Sequence, residues 1–223
     1  MWDNNDKKGF INSSNNNIGQ ISKNSKFAKV ITQLCNDKNN KNFLEIGTWN
    51  GLGSTKIFVD NLLNRNDAYI FYSLECNKEK SEFAKNLYKA HEKINILNEV
   101  IWNKEPKNFG NIYNKNKLCA FDGGHYKWND SPDKVNIENC KVFMERPNLP
   151  DMWDVILFDG GTQTTYFDYL LLKDKCKNIL LDDINIDEYK IIVNDIEENN
   201  KFKIIIKDNE RNGFLWAKLN EYL

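Results

Sequence analysis

Features that mark several protein classes are scarce or missing in this 223-residue sequence. No apolar run approaches the roughly 20 residues that a membrane-spanning helix needs, and the first residues lack the continuous apolar core of a signal peptide. The five cysteines form no C-x-x-C pair, so a structural zinc site and a disulfide framework are both poorly supported. Reduced thiols are therefore expected, and we predict a cytoplasmic protein without membrane contact.

An excess of charge of one sign is missing as well. The 31 basic and 32 acidic residues leave a formal net charge of -1. Proteins dedicated to nucleic acid normally show a basic excess or stripe, so nucleic acid is not an expected partner. Hydrophobic residues at 40% and charged residues at 28% are typical of a globular domain. The length suits one α/β domain better than two.

Two stretches of the chain have little periodic pattern. Residues 1–24 are polar and are expected to form a flexible arm. Residues 25–223 are expected to form a single domain, interrupted at about 104–148 by a segment that holds three of the four prolines. A loop of that length is uncommon in a compact domain unless it is functional. We interpret it as an insertion over the active-site side, with a short strand at 118–121.

The remaining segments alternate between apolar runs and helical patterns. Strands are predicted at 43–46, 69–75, 94–102, 154–158 and 178–181. Helices are predicted at 25–37, 53–64, 77–91, 165–173 and 187–198, the third with Phe83, Ala84, Leu87 and Tyr88 on one face. Two last strands, 202–206 and 214–219, flank a hairpin signal at 208–213. The pattern predicts a doubly wound α/β sheet, mostly parallel, with a C-terminal antiparallel hairpin strand.

The strand at 43–46 leads directly into a glycine-rich turn. Gly47, Gly51 and Gly53 follow it, and Ser54 then opens a helix. A strand, a glycine turn and a helix N-terminus let a ligand approach the backbone closely. The spacing Gly-x-x-x-Gly-x-Gly differs from the Gly-x-Gly-x-x-Gly of dinucleotide enzymes and from a phosphate-binding loop.

With Glu45 two residues before Gly47, this turn resembles motif I of the class I S-adenosylmethionine-dependent methyltransferases. Glu45-Ile46-Gly47-Thr48 followed by Gly51 is most similar to the small-molecule O-methyltransferase branch. The resemblance covers residues 25–223 apart from the insertion, and it implies a Rossmann-like sheet and S-adenosylmethionine as cofactor. The cofactor-binding residues that it implies are Glu45, Gly47, Thr48, Trp49, Gly51, Gly53, Ser54, Glu75 and Asp159.

Two carboxylates have expected roles toward this cofactor. Glu75 ends the second strand, where a carboxylate can accept both ribose hydroxyls of a nucleoside; the alternative is a solvated strand-end charge. The resemblance places Glu45 beside the methionine part of the cofactor, bonded to turn amides or to the ammonium group. The alternative for Glu45 is a structural acid that holds the turn in place. Gly47 is the position where a side chain would most obstruct the cofactor.

A second group of acids follows the fourth and fifth strands. Asp159 ends one strand, and Asp182 and Asp183 end the next. Clustered carboxylates repel unless one is protonated or a cation lies among them. Oxygen ligands favour a hard cation, Mg²⁺ first, with Ca²⁺ or Mn²⁺ as alternatives. A different interpretation has one aspartate contacting the cofactor while the others cap the next helix.

The arrangement of these acids resembles that of metal-dependent O-methyltransferases of macrolide sugars and related natural products. In those enzymes the metal holds two acceptor oxygens and lowers the pKa of the attacking hydroxyl. They often carry a histidine shortly after the fourth-strand aspartate, where this chain has 161–163 as Gly-Thr-Gln. The base is therefore open: the candidate catalytic residues are Asp159, Asp182 and His125, the last on a Gly-Gly segment of the insertion.

The leading functional hypothesis is methyl transfer to a hydroxyl of a small molecule, with a sugar or sugar nucleotide preferred to a catechol. An RNA or protein methyltransferase of the same fold is one alternative, although Asp159 and Lys190 match only part of a Lys-Asp-Lys-Glu tetrad. A catalytically inactive scaffold subunit of this fold is the other. The residues leave open whether the chain forms a homo-oligomer.

Overall fold

A computed structural model describes residues 21–106, 129, 131 and 133–222, and its centre is a seven-stranded sheet. The strands of this sheet are β1 (Asn42–Ile46), β2 (Ile70–Leu74), β3 (Ile94–Leu97), β6 (Trp153–Phe158), β7 (Cys176–Asp182), β8 (Phe202–Asp208) and β9 (Phe214–Leu219). Their order is β3-β2-β1-β6-β7-β9-β8, and all neighbours are parallel except that β9 is antiparallel to both β7 and β8. This confirms the predicted doubly wound sheet with a reversed strand from the C-terminal hairpin.

Helices cover both faces of the sheet. They are α1 (Lys26–Asn36), α2 (Ser54–Leu62), α3 (Lys78–Tyr88), α4 (Lys134–Asn139), α5 (Thr165–Leu172) and α6 (Asp187–Glu198), with short 3-10 turns at Phe143–Glu145, Lys173–Lys175 and Asn220–Tyr222. α1 begins after Ser25, whose hydroxyl accepts a hydrogen bond from the N–H of Ala28 at 3.0 Å. In the described part of the chain, no helix has the length and apolarity needed to cross a membrane.

Alternate residues of the central strands pack into two separate hydrophobic cores, one on each face of the sheet. Phe43 of β1 and Leu157 of β6 pack with α1, α2 and α3 on one face. Leu44 of β1 and Ile156 of β6 pack with α5 and α6 on the other. Every residue of β6 is buried, as expected for a central parallel strand covered on both faces. The two cores make β1, β6 and β7 a rigid platform whose carboxyl ends carry the candidate site.

The strand predicted at 94–102 is wrong in extent. β3 ends at Leu97, and the side chain of Asn98 donates hydrogen bonds to the carbonyls of Glu75 and Cys76 at the end of β2. The chain then leaves the main sheet, and β4 (Glu99–Val100) pairs with β5 (Lys141–Val142) in a separate two-stranded sheet. The predicted strand is therefore divided into β3 and β4 by side-chain hydrogen bonds, which the pattern of apolar residues does not predict.

The buried face predicted for the third helix is also only partly correct. Ala84 and Tyr88 of α3 are buried, but Phe83 and Leu87 are 39% and 44% exposed. α3 packs mainly on β3, the edge strand of the sheet. An edge strand covers a narrower stripe of a helix than a central one, so two of the four apolar side chains face outward.

The predicted insertion at 104–148 contains some regular structure. α4 and β5 lie in it, and the predicted strand at 118–121 falls outside the described residues. Arg146, near the end of the insertion, forms two hydrogen bonds of 2.6 Å each with the carboxylate of Glu99, which lies just before its start. Ile21, which belongs to the predicted arm, is 2% exposed and packs into the first core.

Asp154 links the amino ends of β1, β6 and β7, at the end of the sheet opposite the candidate site. Its carboxylate accepts bonds from the N–H groups of Lys41 and Asn42 and from the ammonium of Lys177, and it is 3% exposed. We predict that Asp154→Ala lowers the free energy of unfolding by about 2–4 kcal/mol, because two backbone donors lose their partner. Urea denaturation measures this.

Lys177→Ala is the control for that substitution, because it removes the ion pair and leaves both backbone hydrogen bonds. We expect it to cost less than about 1 kcal/mol. Equal losses in the two variants would contradict the role assigned to the backbone bonds.

Candidate functional site

The register of the sheet places the predicted site residues together at the carboxyl ends of its parallel strands. Ile46 of β1 pairs with Phe158 of β6, and Phe158 pairs with Leu181 of β7. The residues that follow, Gly47, Asp159 and Asp182, therefore lie side by side at the carboxyl ends of three parallel strands. Ligands of open parallel sheets bind at this edge.

Backbone contacts explain two of the glycines in the turn. Gly47 has φ +103°, and a Cβ there would lie 1.9 Å from the carbonyl oxygen of Asp159. Gly51 has φ +75°, and a Cβ there would lie 2.8 Å from the Cβ of Ala84. The hydroxyl of Tyr88 donates a 2.5 Å hydrogen bond to the carbonyl of Gly51. Both glycines are thus required by packing within the protein, in addition to any cofactor.

Glu45 lies inside the protein, beneath the glycine turn, and is fully buried. One carboxylate oxygen, Oε2, accepts hydrogen bonds from Thr55 Oγ1 at 2.6 Å and Ser73 Oγ at 2.5 Å. The expected bonds to turn amides are absent among the described contacts of Glu45, and hydroxyl groups replace them. The other oxygen, Oε1, is buried and accepts no hydrogen bond of ordinary geometry, although the hydroxyl of Ser54 lies near enough to the carboxylate to stabilise its charge. A buried acceptor without a partner is costly, so Glu45 retains capacity for a donor from a ligand.

The surroundings of Glu45 favour protonation. Burial raises the pKa of Glu45 to about 6, and the hydroxyls of Ser54, Ser73 and Thr55 oppose this rise by stabilising the carboxylate. Ser54, the first residue of α2, is buried, as is Thr48, whose hydroxyl lies 2.6 Å from that of Ser73. Glu45 is therefore an acid whose charge responds to any cation that approaches Oε1.

Glu75 is held by backbone amides at the end of β2. Oε2 accepts from the N–H of Trp49 at 2.8 Å, and Oε1 accepts from the N–H of Asn77 at 2.8 Å. The residue is 8% exposed, so the alternative of a solvated charge is wrong. A carboxylate has about four acceptor positions, so these two amide donors and the more distant thiol of Cys76, at 3.7 Å from Oε1, still leave capacity for a ribose hydroxyl. The turn and the second strand thus fix the orientation of this carboxylate.

Trp49 stands at the mouth of the turn in an unusual backbone conformation. Its φ is +52°, in the left-handed region that non-glycine residues seldom adopt. The side chain is exposed, and the ammonium of Lys80 lies 3.0 Å from the centre of its ring. Gly53, the last glycine of the turn, is the N-cap residue of α2. The turn therefore presents an aromatic ring and a helix N-terminus at the carboxyl edge of the sheet.

The three aspartates predicted to cluster do so. One carboxylate oxygen from each of Asp159, Asp182 and Asp183 lies within 4.8 Å of the others. Neither Asp182 nor Asp183 caps a helix, because α6 begins at Asp187 and its N-cap residue is Ile186. The alternative in which these acids serve as caps is therefore wrong.

An arginine that the sequence analysis did not single out reaches this cluster. Nη2 of Arg211 lies 2.7 Å from Oδ2 of Asp182 and 3.5 Å from Oδ1 of Asp183. Arg211 belongs to the loop between β8 and β9. Because β8 runs in the same direction as β7, that loop lies at the carboxyl edge of the sheet. The topology, once known, is the signal that could have identified it.

The pKa values of the cluster reflect crowding of like charges. Loss of hydration and the carboxylates of Asp182 and Asp183 raise the pKa of Asp159 well above its ordinary value. Burial, followed by the charge of Asp183, raises the pKa of Asp182 to about 6, while Arg211 lowers it. A cation placed among these groups would favour their ionised forms, which is the behaviour expected of oxygen ligands.

Two further acids near the site were not predicted. Asp168 of α5 is buried beneath Gly160, and burial raises its pKa to about 8. Its position on the apolar face of α5 was a signal available in the sequence. Asp133 precedes α4, and its Oδ2 would lie 2.9 Å from a Cβ on Gly161. The end of the insertion thus contacts the loop after β6.

Two residues considered in the functional hypotheses, His125 in the leading one and Lys190 in an alternative, are not among the described residues of the site. His125, the candidate base of the insertion, lies outside the described residues. Lys190 is exposed on α6 and pairs with Asp187 at 2.5 Å, one turn of the helix away. The partial match to a Lys-Asp-Lys-Glu tetrad therefore finds no support from the contacts of Lys190.

No protein-family model and no curated protein matches this sequence. Solved structures do share its architecture. An O-methyltransferase from Bacillus cereus, in complex with S-adenosylhomocysteine (SAH), is 15% identical, with a TM-score of 0.55 over 91% of this chain and 84% of that one. The O-methyltransferase TomG from Streptomyces achromogenes, involved in tomaymycin synthesis and solved with S-adenosylmethionine, is 10% identical, with a TM-score of 0.53 over 86% and 78%.

An SAH-bound methyltransferase from Podospora anserina is similar to the same degree, with 10% identity and a TM-score of 0.53 over 86% of this chain and 77% of that one. Identities this low establish the fold alone. The chain has the Rossmann-like fold of the class I methyltransferases.

The raised pKa of Glu45 makes stability depend on pH. In the unfolded chain this carboxyl ionises near 4.5, and in the folded protein near 6. Between these values the folded state binds more protons, so the stability that Glu45 contributes falls as pH rises and is lost above about pH 6. We predict that wild type loses about 2 kcal/mol relative to Glu45→Gln between pH 4 and pH 7. Urea unfolding of both proteins across this range measures the difference, and parallel stability curves would contradict it.

Proposed function

We propose that the chain is an S-adenosylmethionine-dependent O-methyltransferase that acts on a hydroxyl of a small molecule. The observation that carries the proposal is the coupling of the glycine turn to Glu75, whose carboxylate is buried and oriented by the N–H of Trp49. Support comes from the O-methyltransferases of B. cereus and S. achromogenes, which share this fold and were solved with SAH and S-adenosylmethionine.

The residues present fit such a cofactor. Glu75 has free acceptor capacity for a ribose hydroxyl, and Oε1 of Glu45 is a buried acceptor in need of a donor, which an ammonium group would supply. Thr55 and Ser73 hold Glu45 in place through its other oxygen. The other members of the proposed cofactor-binding set are Gly47, Thr48, Trp49, Gly51, Gly53, Ser54 and Asp159.

The proposed reaction is a direct displacement. When bound, the cofactor supplies a methyl group from its sulfonium, which becomes a neutral thioether as the acceptor oxygen takes the methyl. The chain aligns the two reactants, excludes water and accepts the hydroxyl proton. When no cation occupies the cluster, Asp182, whose pKa is raised by burial to about 6, is suited to accept a proton near neutral pH. Asp159 and His125 remain the other proposed bases.

We further propose that Asp159, Asp182 and Asp183 hold a divalent cation, Mg²⁺ in the first instance. The donor set is all oxygen and converges within 4.8 Å, as hard cations require. When bound, such a cation would orient acceptor oxygens and lower the pKa of the reacting hydroxyl. A sugar or sugar nucleotide is the proposed acceptor, on the resemblance of this acid arrangement to that of the macrolide-sugar enzymes. The described cysteines are all free thiols, which supports a reducing, cytoplasmic location.

Cofactor binding is the first test. We predict that wild type binds SAH with micromolar affinity in calorimetric titration, and that Glu75→Gln weakens binding at least tenfold (about 1.4 kcal/mol), because one ribose acceptor becomes a donor. Glu197→Gln is the matched control, since Glu197 pairs with Lys207 on the surface, and it should bind as wild type does. If wild type does not bind SAH, the methyltransferase proposal fails and the scaffold alternative takes its place.

The metal proposal has a separate test in thermal unfolding. Millimolar Mg²⁺ should raise the melting temperature of wild type, because a ligand of the folded state stabilises it by mass action. Asp182→Asn should lose this increase, while Asp187→Asn, which alters an exposed pair with Lys190, should keep it. Equal melting temperatures of wild type with and without Mg²⁺ would contradict the metal site and leave the cofactor proposal intact.

A further inference from the structure

Arg211 is the one basic side chain that the described contacts place against the aspartate cluster. Its Nη2 is 2.7 Å from Asp182, whose side chain is only 3% exposed, and 3.5 Å from Asp183. A charge-assisted contact of 2.7 Å to a nearly buried carboxylate is a strong one. Arg211 itself keeps contact with water, since its side chain is 28% exposed.

The hairpin loop that carries Arg211 is fixed to the loop after β7. The N–H of Ile184 donates to the carbonyl of Gly213, and the N–H of Asn185 donates to that of Asn212. A Cβ on Gly213 would lie 2.8 Å from both Ile184 and Asn185. The backbone of Arg211 is therefore held at a set distance from Asp182 and Asp183, whatever its side chain does.

Backbone conformation supports this placement. Asp183 has φ +58° and Arg211 has φ +57°. Left-handed conformations are uncommon in non-glycine residues and persist where surrounding structure holds them, often at functional sites. Both members of the 3.5 Å contact are thus held in disfavoured conformations by the pairing of the two loops.

Charge balance shows what the arginine does at this position. Three carboxylates converge, and the guanidinium makes its shortest contact with one of them, Asp182. A guanidinium is a fixed positive charge in proteins and donates hydrogen bonds without accepting any. A divalent cation bound to the aspartates would lie within a few ångströms of the guanidinium that contacts Asp182. Two positive charges that close repel each other strongly in a partly buried site.

We propose that Arg211 is a resident counter-cation that competes with divalent metal for Asp182 and thereby sets how tightly the aspartate cluster binds a metal ion. The inference rests on the proposed metal site. It gives Arg211 a role beyond a stabilising ion pair: the arginine keeps metal affinity low, and metal occupancy requires Arg211 to release Asp182. The exposure of the arginine leaves it a path into solvent when it does so.

The experiment measures Mn²⁺ binding to the full chain by the electron paramagnetic resonance signal of free Mn²⁺. Arg211→Gln should lower the dissociation constant for Mn²⁺ at least tenfold relative to wild type. Arg211→Lys keeps the charge and should stay within threefold of wild type. Lys207→Gln is the matched control, because it removes a positive charge from the same hairpin where it pairs with Glu197, and it should leave the constant unchanged.

A purely structural ion pair predicts the opposite pattern. If Arg211 only holds Asp182 in position, Arg211→Gln will bind Mn²⁺ as weakly as wild type or more weakly, and the inference is overturned. A second readout covers loss of stability: Mn²⁺ should raise the melting temperature of Arg211→Gln more than that of wild type, and an equal or smaller increase also overturns it.

Failure of the inference and failure of the proposed function give different results. If no variant binds Mn²⁺, the inference and the metal site both fall, while SAH titration of the same proteins still reports on the cofactor site. If wild type binds Mn²⁺ and Arg211→Gln does not bind it more tightly, the metal site stands and the competition by Arg211 is refuted.

Discussion

Repulsion between carboxylates gathered at one edge of the sheet is the constraint on which the site depends. Parallel strands end side by side, and here β1, β2, β6 and β7 bring five acidic side chains to that edge. They are Glu45, Glu75, Asp159, Asp182 and Asp183. Taking such groups out of water without compensation is costly. Such groups need donors or cations as partners, and three of the five illustrate the different kinds that the protein provides.

Glu45 is matched by hydroxyls, Glu75 by backbone amides, and Asp182 by a guanidinium. The first two kinds of partner are neutral and built into strands and turns, so they orient a carboxylate without cancelling its charge. Their remaining acceptor capacity suits the hydroxyl and ammonium groups of a nucleoside amino acid. The third partner carries a full charge on a long side chain, so it can be exchanged for another cation.

The sequence predicted most of the sheet because its strands are marked by apolar content. β9 was predicted at 214–219, as the structure has it, and the reversed strand follows from the hairpin signal before it. The errors occur where a side chain makes a contact that patterning does not encode. Asn98 ends β3 through hydrogen bonds to β2, and α3 exposes Phe83 and Leu87 because it lies on an edge strand. Predicting either contact requires the strand order.

In the candidate site, too, the features set by topology were predicted and those set by individual side-chain contacts were not. Asp159, Asp182 and Asp183 were predicted to cluster because strand ends of a parallel sheet meet, which is a consequence of topology class alone. Thr55 and Ser73, the hydrogen-bond partners of Glu45, could not be predicted. They belong to α2 and β2 and meet Glu45 only once the turn has folded. Gly47 illustrates the limit further, because the carbonyl of Asp159, 112 positions away, leaves no room for a Cβ there.

These differences explain which part of the site is able to change on ligand binding. The amide donors to Glu75 move only if the backbone moves, and the hydroxyl donors to Glu45 belong to fully buried residues. Arg211 is different, because its backbone is fixed by the paired loops while its side chain reaches water. Release of Asp182 needs rotation of one side chain and no change in the sheet. The charge state of the aspartate cluster can therefore be altered without a change in the glycine turn, Glu45 or Glu75.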